Sequence, residues 1–345
     1  MLALLEAPLP SSSPFSLVLS IVLLGGGLAL LLVGAHFLID SATVVASRLG
    51  VSPLVIGLTV IAFGTSAPEL ALNVVAAASS EAGANLAFGN VIGSNIANIG
   101  LVLAIACLVH PVMARRSVRF VYFPLLIATE GAVLLIAAAS DEITRTDGIL
   151  LLCGLPVALI ILRRFAGEDQ DEPVEVASPE DSRGLAAAGL IVLGLGMLLT
   201  GAKLSELGAV SIARHFELSE AVIGLTIVAV ATSLPESFTA IIAARRKQSD
   251  LALGTVIGSN LFNILSVLAI TSLVRPVPIP HDVGWGALTV MAVLTLSIGV
   301  IYISRPRPLG AKRPALGLHT LSKPWGGVIL TVWVGAMIWW VAVGG

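Results

Sequence analysis

Apolar residues fall in long unbroken blocks along this chain. They do not alternate every second position, and they do not form narrow stripes between polar faces. Ten blocks stand out, near 16–38, 53–78, 85–109, 118–139, 146–165, 184–206, 219–243, 250–274, 283–304 and 324–343. Runs of about 20 residues match a hydrocarbon core roughly 30 Å thick. A backbone inside that core must satisfy its own hydrogen bonds, which a helix does. The pattern therefore predicts an all-α polytopic membrane protein with ten transmembrane helices. The first block has no basic leader, is too long for a signal-peptide core and shows no cleavage motif, so it is expected to stay as a helix.

The few polar positions inside the blocks recur. Residues 55–69, "VIGLTVIAFGTSAPE", return at 222–236 as "VIGLTIVAVATSLPE", an offset of 167. Residues 89–99, "GNVIGSNIANI", return at 254–264 as "GTVIGSNLFNI", an offset of 165. Each copy thus spans five blocks, and an odd number turns the second copy upside down. Two inverted five-helix repeats are expected, 1–165 and 184–345, an arrangement that places transporter sites at the midplane. Between them, "GEDQDEPVEVASPEDSRG" carries seven carboxylates and two prolines. It reads as an acidic cytoplasmic linker over 166–183, and its spacing fits no EF-hand loop.

Composition and charge sharpen this picture. Hydrophobic residues make up 57% and charged residues 12% of the chain, about half the charge a water-facing surface carries. No basic stripe with interleaved aromatics accompanies the net charge of −2, so nucleic acid is not an expected partner. Cys107 and Cys153 lack any ligand spacing and read as two small core residues. Lys and Arg collect in alternate loops, 15 against 4. Arg48, Arg115, Arg163, Arg245 and Arg305 with their neighbours mark the cytoplasmic side. That bias puts both termini outside and the protein in the plasma (inner) membrane.

The candidate chemistry lies in the repeated motifs. A carboxylate at membrane depth costs several kcal/mol unless paired, hydrated or protonated, so Glu69 and Glu236 are functional candidates. Pro68 and Pro235 stand just before them. A proline has no N–H and its ring pushes a helix open, freeing carbonyls near Gly64 and Ala231. Thr65, Ser66, Thr232 and Ser233 add hydroxyls beside each glutamate. The neighbouring blocks add Ser94 with Asn98 and Ser259 with Asn263, each pair four apart. All are hard oxygen donors, which suit calcium or sodium rather than zinc or copper. Two bidentate carboxylates and two carbonyls make about six ligands, within the usual range for calcium. Ser and Asn also glue membrane helices together, but glue does not explain two glutamates behind two prolines.

These motifs resemble the paired alpha-repeats of the cation/calcium antiporter superfamily, and most closely those of prokaryotic sodium/calcium exchangers. The resemblance covers nearly the whole chain. It implies a secondary transporter that exchanges sodium for calcium by alternating access, with ten helices. Helices 2, 3, 7 and 8 would enclose the ions, and helices 1 and 6 would slide across them. Glu69 and Glu236 would be shared by both ions, Thr65, Ser66, Thr232, Ser233, Ser94 and Ser259 would line the sites, and Asn98 and Asn263 would hold the remaining paired positions. The carbonyls of Ala62 and Ala229 would add ligands. No cofactor and no enzymatic activity are implied, one chain suffices for transport, and the partners are calcium, sodium and the lipid bilayer. Many relatives carry Asp where this chain has Asn263, which weakens the case for potassium co-transport.

Three other readings compete. A proton-coupled calcium antiporter would use the same oxygens, although that branch places its acid after a Gly-Asn pair, unlike this chain. A calcium-permeable channel more often forms its pore from several subunits. An intramembrane enzyme needs a catalytic set, and neither HExxH nor GxSxG occurs. Outside the motifs, Glu130 stands alone in mid-span with no counterpart in the ninth block, and reads as a carboxyl hydrogen-bonded or protonated at a helix contact. His36 and Lys203 occupy equivalent positions, with Asp40 and Glu206 close enough to pair with them.

Overall fold

The computed structural model describes residues 14–165, 183–216, 229–280, 284–304 and 319–344. Almost all the expected linker 166–183 lies outside them, as do 219–228 and the basic residues Arg305, Arg307, Lys312 and Arg313. The chain is helical, with α1 Pro14–Leu49, α2 Pro53–Ser79 and α3 Glu81–Ala97, which continues through a π-helical turn, Asn98–Leu103, into Ala104–Val109. Then come α4 Val118–Ala139, α5 Arg145–Phe165 and α6 Arg183–His215. A helical turn, Ala229–Thr232, leads into α7 Leu234–Arg245, followed by α8 Ser249–Val274, α9 Gly284–Ser304 and α10 Lys323–Gly344. Eight helices among the described residues are long and apolar enough to cross a membrane, which makes the protein an all-α polytopic membrane protein. Only small antiparallel staples depart from helix. Val112–Ala114 pairs with His319–Leu321, and Glu142–Ile143 with Val277–Pro278.

Local chemistry sets the helix ends. Gly50, at φ 63°, supplies the left-handed residue that stops α1. Pro53 opens α2, where its missing N–H costs nothing. The Ser80 hydroxyl caps α3 by accepting from the Gly83 N–H at 3.0 Å.

Burial separates centre from rim. In α8, 94% of the apolar window is enclosed, against 22% in α1 and 28% in α6. The main core gathers around α3 and α8 under α4, α5, α9 and α10, and a second cluster joins α1 and α6 to α2, α7 and α8. α1 and α6 outrun their apolar blocks, which ended near 38 and 206; the added turns of α1 bury Ile39, Ala42 and Ala46 in the cluster with α2, α7 and α8. The two helices pack on each other along a seam of small residues. Ser20, Gly27 and Gly34 face Gly208, Gly201 and Gly194 in antiparallel register, seven residues apart on each helix. A Cβ on Gly34 would sit 2.8 Å from the Gly194 carbonyl oxygen, and one on Gly201 2.7 Å from that of Gly27. Small residues let two membrane helices approach this closely.

Candidate ion-binding site

The site gathers where α2, α3, α7 and α8 meet. Gly254 and Gly258 draw α8 onto α2, since a Cβ at Gly254 would lie 2.7 Å from the Leu54 carbonyl oxygen and one at Gly258 2.6 Å from Ala62 Cβ. This approach brings the Thr65 and Ser259 hydroxyls within 3.4 Å of each other, both fully buried. Both hydroxyls lie beside the Glu236 carboxyl, and Glu236 in turn is close enough to Glu69 for the two carboxyls to repel.

The two copies of the motif adopt different backbones. In the first, the helix Ala62–Ser79 runs straight through Pro68, so the expected opening of the backbone does not occur there. Packing of a long buried helix outweighs the one hydrogen bond that proline removes, and the Gly64 carbonyl still has no N–H at position 68. In the second, the chain breaks at Ser233 (φ −91°, ψ 6°), and Pro235 and Glu236 fall in the first turn of α7. Ser237 and Thr239 then return their hydroxyls to the Ser233 and Pro235 carbonyls, each at 2.7 Å.

Each copy reads Ser-x-Pro-Glu, the pattern of a helix capping box. Neither box closes. Ser66 Oγ, Glu69 Oε2, Ser233 Oγ and Glu236 Oε2 are all buried without a hydrogen-bond partner. Asn98 and Asn263 add two more orphans, both carbonyl Oδ1 atoms. Leaving one such atom unmatched costs about 1–3 kcal/mol, so six together are not a packing accident. All six are oxygens, two belong to carboxylates, and the set repeats between halves. A hard cation is the ligand that such a set accepts.

Of the remaining candidates, Ser94 and Ser259 are buried, and Thr232 is half-buried. The Ala62 carbonyl accepts a long bond from Thr65 Oγ1, 3.3 Å, and Ala229 opens the short helical turn before Ser233. Asn98 and Asn263 each open a π-helical turn, a local widening common at functional sites.

Two further residues belong here. Asn95 Nδ2 donates to the Asn260 carbonyl (3.3 Å) and Asn260 Nδ2 to the Asn95 carbonyl (3.2 Å). Asn263 Nδ2 donates to Asn95 Oδ1, and Asn98 Nδ2 to Asn260 Oδ1, both at 3.0 Å. Asn95 and Asn260 stand in both copies of "GSN", and that doubling is the trace they leave in the sequence.

The residues outside the site resolve simply. Glu130 accepts from Thr295 Oγ1 at 2.9 Å in a buried contact between α4 and α9, the hydrogen-bonded carboxyl expected. Thr295 is its positional partner, 165 residues on. Lys203 pairs with Glu206 at 3.2 Å, as expected. Asp40 instead pairs with Arg246, just past the end of α7, and His36 Nδ1 meets the Leu32 carbonyl oxygen at 2.8 Å. Cys107 is buried as expected, whereas Cys153 lies on the exposed face of α5.

The chain is similar to known proteins. Residues 19–163 and 186–342 match the family described as sodium/calcium exchanger protein. The chain is 37% identical to the putative antiporter CaxA of Alkalimonas amylolytica, over 79% of this chain and 86% of that one. It is 32% identical to the inner membrane protein YrbG of Escherichia coli over 94% and 98%, and 29% identical to the sodium/calcium exchanger MaX1 of Methanosarcina acetivorans over 81% and 89%. Among solved structures, the sodium-calcium exchanger NCX_Mj superposes with a TM-score of 0.75 at 29% identity, covering 93% of this chain and 98% of that one.

Proposed function

The chain belongs to the sodium/calcium exchanger protein family, and from that premise we propose how it exchanges sodium for calcium. As a secondary transporter it carries both ions through one membrane-embedded site by alternating access. Glu69 and Glu236 bind calcium and sodium in turn. Thr65, Ser66, Ser94 and Asn98 from one half, and Thr232, Ser233, Ser259 and Asn263 from the other, complete the oxygen shell with the Ala62 and Ala229 carbonyls. Two carboxylates neutralise one calcium ion. Cations that enter relieve their mutual repulsion, which ties ion release on one side to ion entry on the other.

The reading extends to ten spans in two inverted repeats, 1–165 and 184–345, joined by the acidic linker 166–183. The antiparallel seam of α1 and α6, the reciprocal bonds of Asn95 and Asn260, and the two separately matched segments support it. The loop-charge bias supports both termini outside, with the protein in the plasma (inner) membrane. No cofactor enters the cycle, the protein is not an enzyme, and a single chain surrounded by lipid suffices.

The observation that carries this proposal is the set of six buried, unpartnered oxygens shared between the two motifs. The test is calcium-45 uptake into proteoliposomes under an outward sodium gradient, compared with an outward proton gradient. Uptake driven by sodium alone is the expected result. Uptake driven by the proton gradient alone overturns sodium coupling, and calcium flux without any opposing ion overturns exchange altogether.

A further inference from the structure

We infer that Asn95 and Asn260 are positioning residues of the ion site, holding the amides of Asn263 and Asn98 so that oxygen rather than NH2 faces the ions. The inference rests on the proposed ligand role of Asn98 and Asn263. A backbone carbonyl can only accept, and this fixes every amide that follows. Asn95 must turn its Nδ2 toward the Asn260 carbonyl oxygen (3.3 Å), and its own Oδ1 is left pointing elsewhere. That Oδ1 needs a donor, and Asn263 Nδ2 supplies one at 3.0 Å. With its NH2 committed, Asn263 has one polar atom left, the buried and unpartnered Oδ1. The same sequence runs from the Asn95 carbonyl through Asn260 to Asn98, at 3.2 and 3.0 Å.

Four amides thus close on two main-chain carbonyls, and none can turn over without breaking this chain of bonds. An amide that did turn would offer a partly positive NH2 to a cation. Asn95 and Asn260 are both fully buried, and every polar atom of their side chains is used within this network. They have nothing left to give an ion, so they act through their neighbours.

A double-mutant cycle tests this, read as equilibrium binding of calcium-45 to the purified full-length protein in detergent. The variants are Asn95→Leu, Asn263→Ala and the two combined. Asn263→Ala and Asn95→Leu should each weaken binding about tenfold, and the double variant should bind no more weakly than Asn263→Ala alone. A structural role would instead let the two losses multiply. Wild-type affinity in Asn95→Leu, or multiplied losses, overturns the positioning role and leaves the site assignment standing. Wild-type affinity in Asn263→Ala overturns the ligand assignment at that residue, and the inference with it. Should Asn95→Leu fail to fold, the mirror cycle, Asn260→Leu with Asn98→Ala, decides between the same outcomes.

Discussion

Glu69 and Glu236 occupy matching positions in near-identical motifs, yet one lies within a continuous helix and the other in the first turn of a new one. Glu236 therefore sits near the N-terminal end of a helix dipole, whereas Glu69 lies within a helix. The same residues in two backbones give two unequal halves of one site. In the proposed site, symmetry of sequence supplies matched oxygens, and asymmetry of backbone sets them in different surroundings. A site that must hold a divalent ion in one step and monovalent ions in another gains from having two unlike anchors.

The sharpest way to break this comparison is to remove each carboxylate in turn. Glu69→Gln and Glu236→Gln should each abolish sodium-driven calcium uptake while the purified protein remains folded and monodisperse. Near wild-type exchange in either one removes that glutamate from the site, whatever its helix.

A second test addresses what the halves share. Neither Asn98 nor Asn263 carries charge, so two carboxylates alone must balance the ions. One calcium leaves no charge over, whereas a load of three sodium ions would leave one. Exchange should then respond to membrane voltage by up to about 2.3 kcal/mol per 100 mV and run without potassium. Flux in voltage-clamped proteoliposomes that ignores potential, or that requires potassium, contradicts this count.

The two prolines separate the halves more finely. Pro68→Ala restores an N–H opposite the Gly64 carbonyl and removes a mid-helix proline that costs about 3 kcal/mol. It should raise the melting temperature, because a mid-helix turn gains a hydrogen bond. Pro235→Ala adds an N–H in a first turn, which has no intrahelical acceptor, so the melting temperature should stay nearly unchanged. Equal effects at both positions would falsify the distinction drawn between the backbones.

The smallest effects concern how each half satisfies its own carbonyls. Asn73 donates to the Glu69 carbonyl at 2.7 Å, and Ser237 serves Ser233 at the same distance. Asn73→Ala and Ser237→Ala should each cost about 1 kcal/mol of stability and leave sodium coupling unchanged, as thermal melts and uptake assays can show.

Much of this was legible in sequence. Block lengths gave eight of the ten expected spans, because hydrocarbon thickness admits few alternatives, and doubled glutamates behind prolines pointed to the candidate site. The missing parts depend on neighbours. The added turns of α1 come from burial of Ile39, Ala42 and Ala46 against α2, α7 and α8, which hydropathy does not weigh. Ser66 and Ser233 share a motif but not a backbone, because the surrounding helices decide whether a proline is tolerated inside a helix or starts one. Asn95 and Asn260 look like ordinary helix glue until their bonds to backbone fix which way the neighbouring amides point.

The seam of Ser20, Gly27 and Gly34 against Gly208, Gly201 and Gly194 has a mechanical consequence. Helices meshed backbone to backbone at every seventh residue cannot creep past one another by fractions of a turn, because each small step would drive a Cα into a carbonyl. In the proposed cycle α1 and α6 therefore travel as one stiff blade. Its outer face, which includes the exposed Val18, Val22, Val192 and Leu193, is wetted by hydrocarbon tails. Turnover is then set partly by friction against the surrounding oil, and a stiffer or colder bilayer should slow the exchanger even with every ion ligand in place.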